Sequence, residues 1–280
     1  MQRILLTLIS IFGLSPIWAQ NPNPEEILQT MIAKAKEVNT IRYQAVMSER
    51  INDEMVVKNS FFKINNSPRN IYVAQSFIGI KLDGLYCQGW NNNQLLIATV
   101  GFPWIQVNLD PLGSRVRDKH HHTIFEAGFN YFVDVVDQML IKHRSEIDIT
   151  SSGKLTAYNR ICYKINMQVK AYKIVKYTVQ QGETLPTIAK NQLINDYKIL
   201  ELNPEIDDFW DIKPGQVINI PSVYGKSVSL YIDVENMLPV QIDIYDEKGL
   251  YGSYGYKNLI INVPFEHDEF SAKYKGYHFR

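Results

Sequence analysis

The sequence has no excess of charge of either sign and is poor in cysteine. Its 280 residues contain 29 basic and 29 acidic side chains and only two cysteines. This balance argues against nucleic acid as the main partner, because neutralising phosphates requires an excess of Lys and Arg. No apolar run after residue 20 reaches the roughly 20 residues that a bilayer-spanning helix needs, so we expect a chain that is not transmembrane.

Patterns that mark catalytic or metal sites are also missing. No Gly-x-Ser-x-Gly elbow occurs, neither cysteine has the flanking residues of a cysteine peptidase, and no carboxylate pair stands out for glycosidase chemistry. The histidine cluster His120-His121-His122 is consecutive, whereas a metal needs ligands that converge from separate elements. We therefore expect no enzyme: no catalytic residue, no metal and no cofactor.

The first twenty residues have the layout of a secretory signal peptide. Arg3 gives a basic start, the apolar run from Ile4 to Leu14 is too short to span a bilayer, and Ala19 offers a cleavage position. An uncleaved anchor is the alternative. We expect residues 1–20 to be removed and the remainder to lie outside the cytoplasm.

The two cysteines leave two states open. An extracytoplasmic compartment favours a disulfide between Cys87 and Cys162. Cys162, however, lies on the polar side of a strand alternation, whereas Cys87 shares parity with Leu85. Two half-buried free thiols are therefore the other state.

A helix and several strands are expected early in the mature chain. Asn23 and Pro24 have the types favoured at the N-cap and the first position of a helix. From Ile41 to about Leu109 the sequence changes to short β-type runs separated by turn clusters. The segment 161–171 alternates apolar and polar residues, which predicts a half-buried strand.

A second amphipathic helix is expected from Thr123 to Lys142. Thr123 and Glu126 have the spacing of a capping box. Phe129 and Val136 belong to an apolar stripe that is broad enough to indicate a helix packed deep against a sheet. We therefore predict that both side chains are buried.

Residues 177–221 follow a different pattern, with the order strand, helix, helix, strand. The segment resembles a LysM domain at Tyr177-Thr178-Val179, Gly182-Glu183-Thr184-Leu185, Leu202-Asn203-Pro204 and Lys213-Pro214-Gly215-Gln216-Val217. The resemblance implies binding to glycan that contains N-acetylglucosamine, in bacteria usually peptidoglycan. It places the ligand between the strand–helix loop and the loop after the second helix. The glycan-binding residues that it implies are Gly182, Glu183, Thr184, Leu185, Asn203, Pro204, Glu205 and Ile206. Cap and turn roles within the module also account for these residue types.

The flanking parts, residues 21–176 and 222–280, form a discontinuous host domain in this interpretation. Paired strands at the ends of the module would let it be inserted at a hairpin tip, between arms at 158–172 and 226–235. Stretches at 101–103 with 108–111, at 121–129 and at 238–249 resemble a family of bacterial envelope proteins similar to the outer-membrane lipoprotein carrier (LolA-like) superfamily.

The resemblance of the host implies an α+β fold. Its sheet would be a curved, incompletely closed antiparallel β half-barrel covered by helices, with the βααβ LysM module inserted. That superfamily carries acyl chains in an apolar cavity, although a filled core fits the pattern equally well.

Two functions remain open. The first is a non-enzymatic, periplasmic or otherwise extracytoplasmic envelope protein that binds peptidoglycan through its LysM module. The second is a periplasmic carrier of lipid or acylated protein, with the module as a tether.

Overall fold

The computed structural model describes residues 22–77 and 79–280. The expected signal peptide, residues 1–20, lies outside the described residues. The helices are α1 (Pro24–Lys36), α2 (Ser114–Arg117), α3 (Asn130–His143), α4 (Leu185–Gln192) and α5 (Asp196–Glu201). In the described ranges, no helix combines the length and the hydrophobicity needed to cross a membrane.

Eleven strands form one open antiparallel sheet, and two more form a separate pair. The strands are β1 (Thr40–Ile51), β2 (Glu54–Asn66), β3 (Arg69–Phe77), β4 (Ile80–Cys87), β5 (Leu95–Thr99), β6 (Gln106–Leu109), β7 (Ile147–Ala157), β8 (Arg160–Val169), β9 (Ile174–Thr178), β10 (Val217–Pro221), β11 (Ser227–Asp233), β12 (Pro239–Asp246) and β13 (Gly249–Ile261). The order in the large sheet is β6-β5-β4-β3-β2-β1-β13-β12-β11-β8-β7, so β6 and β7 are its edges. The predicted fold class, an open antiparallel sheet with helices and an inserted βααβ module, is confirmed.

The main core lies between the large sheet and the helices α1 and α3. The side chain of Asn23 caps α1 by accepting a hydrogen bond from Glu25 N at 3.0 Å, as its position before Pro24 predicts. Leu28 and Met31 of α1 are completely buried. Helix α1 packs against α3 and β7, which places both helices over the same region of the sheet.

The second helix is shorter than expected at its start. A separate 3₁₀ turn spans Ile124–Glu126, and α3 begins only at Asn130. Gly128 separates them because its φ of 92° is left-handed and cannot continue a helix. Its N–H donates to the hydroxyl of Tyr43 at 2.9 Å, which anchors the break to β1. The prediction of one continuous helix from Thr123 to Lys142 was therefore wrong.

The predicted burial of the second helix is confirmed. Phe129, which precedes α3, is 0% exposed, and Val136 is 6% exposed. Both belong to the main core, so the apolar stripe faces the sheet as its breadth indicated.

Strand β8 is half-buried as predicted, except at its first residues. Ile165 is fully buried, but Ile161 is 58% exposed. Its neighbour Cys162 is fully buried on the other side, in a small cluster with Ala157 and Val240. The predicted alternation of buried and exposed residues fails at the start of β8, because apolar residues also cover the face of the sheet on which Cys162 lies. Cys87 and Cys162 are both free, buried thiols.

The inserted segment joins the host through two adjacent pairs of strands. Strands β8 and β11 are paired, with Gln168 opposite Ser227. Strands β9 and β10 are also paired, with Ile174 opposite Pro221, so the two chain ends of the insert lie side by side. This is the junction that insertion at a hairpin tip requires.

Candidate functional site

The inserted segment has its own hydrophobic core. Ten buried apolar residues form it, including Leu185, Ile188, Ile199 and Ile218. These side chains come from both helices and from β10, and they hold α4 and α5 against the β9–β10 pair. The loops between these elements therefore have a fixed support.

The strand–helix loop contains the first four predicted glycan contacts. Gly182 is exposed and has a φ of 80°, a conformation that favours glycine. The carboxylate of Glu183 accepts hydrogen bonds from Tyr177 OH and Gln180 N, both at 2.8 Å, so it braces the loop. Thr184 caps α4 by accepting from Thr187 N at 3.3 Å. The side chain of Leu185 is fully buried, which leaves only its main chain near the surface.

The loop after α5 contains the other four predicted glycan contacts. Asn203 is fully buried, and its amide donates to Ile199 O at 2.7 Å and to Asn219 O at 2.8 Å. Its Oδ1 accepts from Asn219 N at 2.7 Å, so the side chain joins the end of α5 to β10. Pro204 and Glu205 are exposed, whereas the side chain of Ile206 is 4% exposed.

The structure brings the two loops together at one point. Leu185 N donates to Phe209 O at 3.0 Å, which joins the start of α4 to the segment after the second loop. In the two loops, Gly182, Pro204 and Glu205 are exposed, and Glu183 and Thr184 are partly exposed. Sequence reasoning missed Trp210, which follows Phe209 and is 41% exposed. The sequence feature that could have indicated Trp210 is the aromatic pair Phe209-Trp210, which follows the predicted binding loop at 203–206.

Helix α5 is docked on the host by a buried ion cluster. The ammonium of Lys198 lies 2.7 Å from Asp246 and 2.8 Å from Glu247, both in the host, and 2.9 Å from Glu201 of its own helix. Arg50 of β1 also pairs with Asp246. Lys198 is 2% exposed, so this contact excludes water.

His121 of the host is enclosed between two tyrosine rings. Its imidazole stacks on Tyr251 of β13 at 4.0 Å and on Tyr197 of α5 at 4.8 Å. Its Nε2–H donates to Arg50 O at 2.8 Å. Asn195, the N-cap of α5, donates to His121 O at 3.1 Å. Burial, only partly opposed by a nearby carboxylate, lowers the pKa of His121 to about 4.

Arg117 of α2 makes a third contact with the module. Its guanidinium lies 2.5 Å from the carboxylate of Asp196 and 3.5 Å from the centre of the Phe209 ring. Arg117 is 2% exposed, and its Nε and Nη1 have no hydrogen-bond partner. The aromatic face therefore supplies part of the stabilisation that these buried donors lack.

The host contains a cavity of about 300 Å³ beside this interface. Its walls are mainly apolar and come from β1 to β5, β13 and the segment before α3. The apolar lining includes Ala45, Phe62, Val73, Leu95 and Ile97. The volume is at the lower end of the range of about 300–1,000 Å³ that small-molecule sites occupy.

One end of the cavity is polar. The ammonium of Lys58 lies 3.1 Å from Glu49 and 3.0 Å from His120 Nδ1, and Tyr254 OH donates to Glu49 at 3.1 Å. Burial alone would raise the pKa of Glu49, but nearby His121 and Lys58 hold it at about 2. Burial and the charge of Lys58 lower the pKa of His120 to about 4.

The segment 115–123 contributes both to the cavity wall and to the contact with the module. We call it the partition. Arg115, Val116, Asp118, His120 and His122 line the cavity. The intervening Arg117 and His121 contact α5 or Phe209 of the module. The three consecutive histidines thus divide between a cavity wall and an interdomain contact.

Residues 177–221 match the family model of the LysM domain. The inserted segment is therefore a LysM domain, with the boundaries that the sequence indicated. No curated protein sequence matches the chain significantly.

Several solved structures resemble the whole chain at low similarity. A chain of the MucA/MucB complex of Pseudomonas aeruginosa is 10% identical, with a TM-score of 0.42, and the match covers 88% of this chain and 60% of that chain. Lipoprotein LppX of Mycobacterium tuberculosis is 10% identical, with a TM-score of 0.41 and coverage of 88% and 98%. A putative outer membrane lipoprotein-sorting protein domain from Vibrio parahaemolyticus is 8% identical, with a TM-score of 0.30 and coverage of 89% and 97%. This chain spans less than two thirds of the MucB structure's length. These likenesses are of the kind that the sequence indicated, and they assign no function.

Proposed function

We propose that the protein is a non-enzymatic component of the bacterial envelope that binds peptidoglycan outside the cytoplasm through its LysM domain. The observation that carries this proposal is the LysM match at 177–221. The Leu185–Phe209 hydrogen bond, which links the first expected binding loop to the segment after the second, supports it. Gly182, Glu183 and Thr184 on one loop and Pro204 and Glu205 on the other would line the glycan site.

Recognition would depend on hydrogen bonds and stacking. The LysM segment has 3 Lys against 7 Asp and Glu, a net charge of −4, so attraction to an anionic wall polymer does not assist it. Main-chain groups at helix ends supply donors and acceptors for acetamido and hydroxyl groups. Trp210 supplies an exposed aromatic face beside the junction. Because one shallow site buries little area, we expect weak binding that added salt does not reduce.

The test is retention of the full chain on purified peptidoglycan. The full chain is used because α5 shares ion pairs with the host. We expect chito-oligosaccharide to release the protein, whereas a cello-oligosaccharide, which lacks the acetamido group, should not. Glu205→Trp, which places bulk on the exposed loop, should abolish retention. Gln192→Trp at the exposed end of α4 is the matched control and should retain binding. No retention of the folded wild-type chain would refute the proposal.

A second candidate function is carriage of a lipid or acyl chain in the host cavity. The apolar walls of the 300 Å³ cavity and its polar group of Glu49, Lys58 and His120 favour it, because they would accommodate the tail and the head of an amphipathic ligand. In that case the LysM domain would tether the carrier to the cell wall.

Mass spectrometry of ligands that copurify with the chain tests this second function. Ala45→Phe should fill the cavity and reduce any bound lipid, because Ala45 lines it and is 4% exposed. Ile161→Phe, at an exposed position outside the cavity lining, is the control. If neither the wild type nor the control carries lipid after expression in bacteria, the carrier function fails.

A further inference from the structure

Four large apolar side chains project at one end of the large sheet. Ile80 is 56% exposed, Phe102 84%, Trp104 60% and Ile105 51%. We call these four residues the hydrophobic tip. Ile80 lies at the start of β4, and the others lie in the loop between β5 and β6. The two regions are adjacent because Val100 N donates to Lys81 O at 2.8 Å.

The sequence around the hydrophobic tip is free of charge over a long distance. Between Asp83 and Asp110, 26 consecutive residues include no Asp, Glu, Lys or Arg, in a chain that is 21% charged. Asp83 itself is buried and accepts hydrogen bonds from His278 N at 3.0 Å and His278 Nδ1 at 2.8 Å. The segment that carries Phe102, Trp104 and Ile105 therefore presents no acidic side chain of its own that would need water.

The main chain of the β5–β6 loop is paired at both ends of the loop. Thr99 N donates to Ile105 O at 2.9 Å, and Ile105 N donates to Thr99 Oγ1 at 2.9 Å and to Pro103 O at 2.8 Å. Pro103 has no N–H to satisfy. Backbone that is already paired can enter a medium without water at little cost, whereas unpaired backbone cannot.

Two cations lie beside the hydrophobic tip. Lys81 is exposed and follows Ile80 directly. Arg280 is exposed, and its guanidinium lies 4.8 Å from the centre of the Trp104 ring. An apolar tip with aromatic residues and flanking cations matches the layers of a bilayer surface, where Trp lies at the headgroup level and cations meet lipid phosphates.

We infer that the hydrophobic tip inserts into the headgroup region of a lipid bilayer, with Lys81 and Arg280 against the phosphates. The charge-free sequence and the two flanking cations favour a membrane over a protein partner, which would require neither. The same strands, β4 and β5, supply Leu82, Leu95 and Ile97 to the wall of the cavity. The tip is thus continuous with the strands that enclose the apolar space, and this inference does not depend on glycan binding.

Flotation of the purified chain with lipid vesicles tests this inference. One set of vesicles contains phosphatidylethanolamine with phosphatidylglycerol, and the other contains phosphatidylcholine alone. The double variant Phe102→Ser/Trp104→Ser should lower the partition coefficient on the order of a hundredfold, since two large apolar side chains no longer leave water. The control, Ile161→Ser/Trp210→Ser, removes comparable exposed side chains elsewhere and should float like the wild type.

Two further measurements test the role of the Lys81 charge and the depth at which Trp104 inserts. Lys81→Gln should weaken flotation with the anionic vesicles several-fold and leave flotation with phosphatidylcholine unchanged. Lipids brominated near the headgroup should quench the fluorescence of Trp104 in a Trp90→Phe/Trp210→Phe background. The inference is overturned if the folded wild type floats with neither vesicle, or if the double variant floats equally well. It is also overturned if that variant instead converts a dimer to a monomer in sedimentation without lipid.

Discussion

The ammonium of Lys198 in the LysM domain lies 2.7 Å from the carboxylate of Asp246 in the host, and both side chains are almost fully buried. A surface ion pair would stabilise the protein little, but a buried charge that loses its partner is strongly destabilising. The LysM domain is therefore held by more than its two covalent connections.

We expect Lys198→Met to reduce the free energy of unfolding by up to about 3 kcal/mol, because Asp246, Glu201 and Glu247 lose their shared cation while Arg50 stays beside Asp246. Urea denaturation of the full chain measures this loss. Lys190→Met, at an exposed lysine of α4 in the same domain, should stay within about 0.5 kcal/mol of the wild type. A loss below about 1 kcal/mol in the Lys198 variant would mean that water reaches the cluster.

The stability of the protein should fall as the pH decreases from 6.5 towards 4, in part because of His121. Its pKa is about 4 in the folded protein and 6.5 in a free side chain, so within this window the unfolded state binds a proton that the folded state does not. At about 1.4 kcal/mol per pH unit, the loss should approach about 3 kcal/mol at pH 4.

The variant His121→Phe isolates that contribution. It keeps a ring between Tyr251 and Tyr197 but removes the titrating group, so its stability should change less over the same pH window. His267→Phe replaces an exposed histidine and should leave the pH dependence as in the wild type. Free energies of unfolding in urea at several pH values would show whether the slopes differ. If the free energy of unfolding changed with pH equally in His121→Phe and the wild type, His121 would not be a source of the pH dependence.

Truncation of Phe129 tests the packing of the sheet against the second helix. Because the side chain is 0% exposed in the main core, Phe129→Ala should cost about 3–5 kcal/mol. Ile141→Ala on α3 is the matched control, since Ile141 is 67% exposed and its truncation should change stability by about 0.5 kcal/mol or less. Similar values for the two variants in urea denaturation would show that Phe129 is not part of a close-packed core.

Local patterns predicted the LysM domain and the burial of Phe129. Each of these depends on residues near one another in sequence, such as the Asn23-Pro24 cap or the apolar stripe before and along α3. The break at Gly128 was missed because the sequence does not reveal the backbone φ of a glycine within an apolar stripe. That conformation depends on a residue distant in sequence, since the Gly128 N–H donates to the hydroxyl of Tyr43 in β1.

The interface between the two domains had no local signal. Lys198 and Asp246 are 48 residues apart, and each is of a type that is usually exposed. Only the docking of α5 on the host turns them into a buried pair. The same holds for His121, whose neighbours His120 and His122 face the cavity. A run of three histidines gave no indication that the middle one has a different environment from the other two.

Excision of residues 177–221, with a short Gly/Ser turn in their place, should leave the host sheet folded but loosen the partition. The sheet should survive because the ends of the insert lie side by side, with Ile174 opposite Pro221. The partition should loosen because Arg117 loses Asp196 and Phe209, and His121 loses the ring of Tyr197.

Native-state hydrogen exchange measures both effects in one experiment. We expect exchange in residues 115–123 to accelerate at least about tenfold, which corresponds to about 1.4 kcal/mol of lost local stability. Helix α1, which packs against α3 and β7 and not against the partition, serves as the internal reference and should exchange as in the full chain. Unchanged protection of 115–123 would show that the LysM domain does not hold the cavity wall. Faster exchange throughout the sheet would show that the domain is an integral part of the host fold.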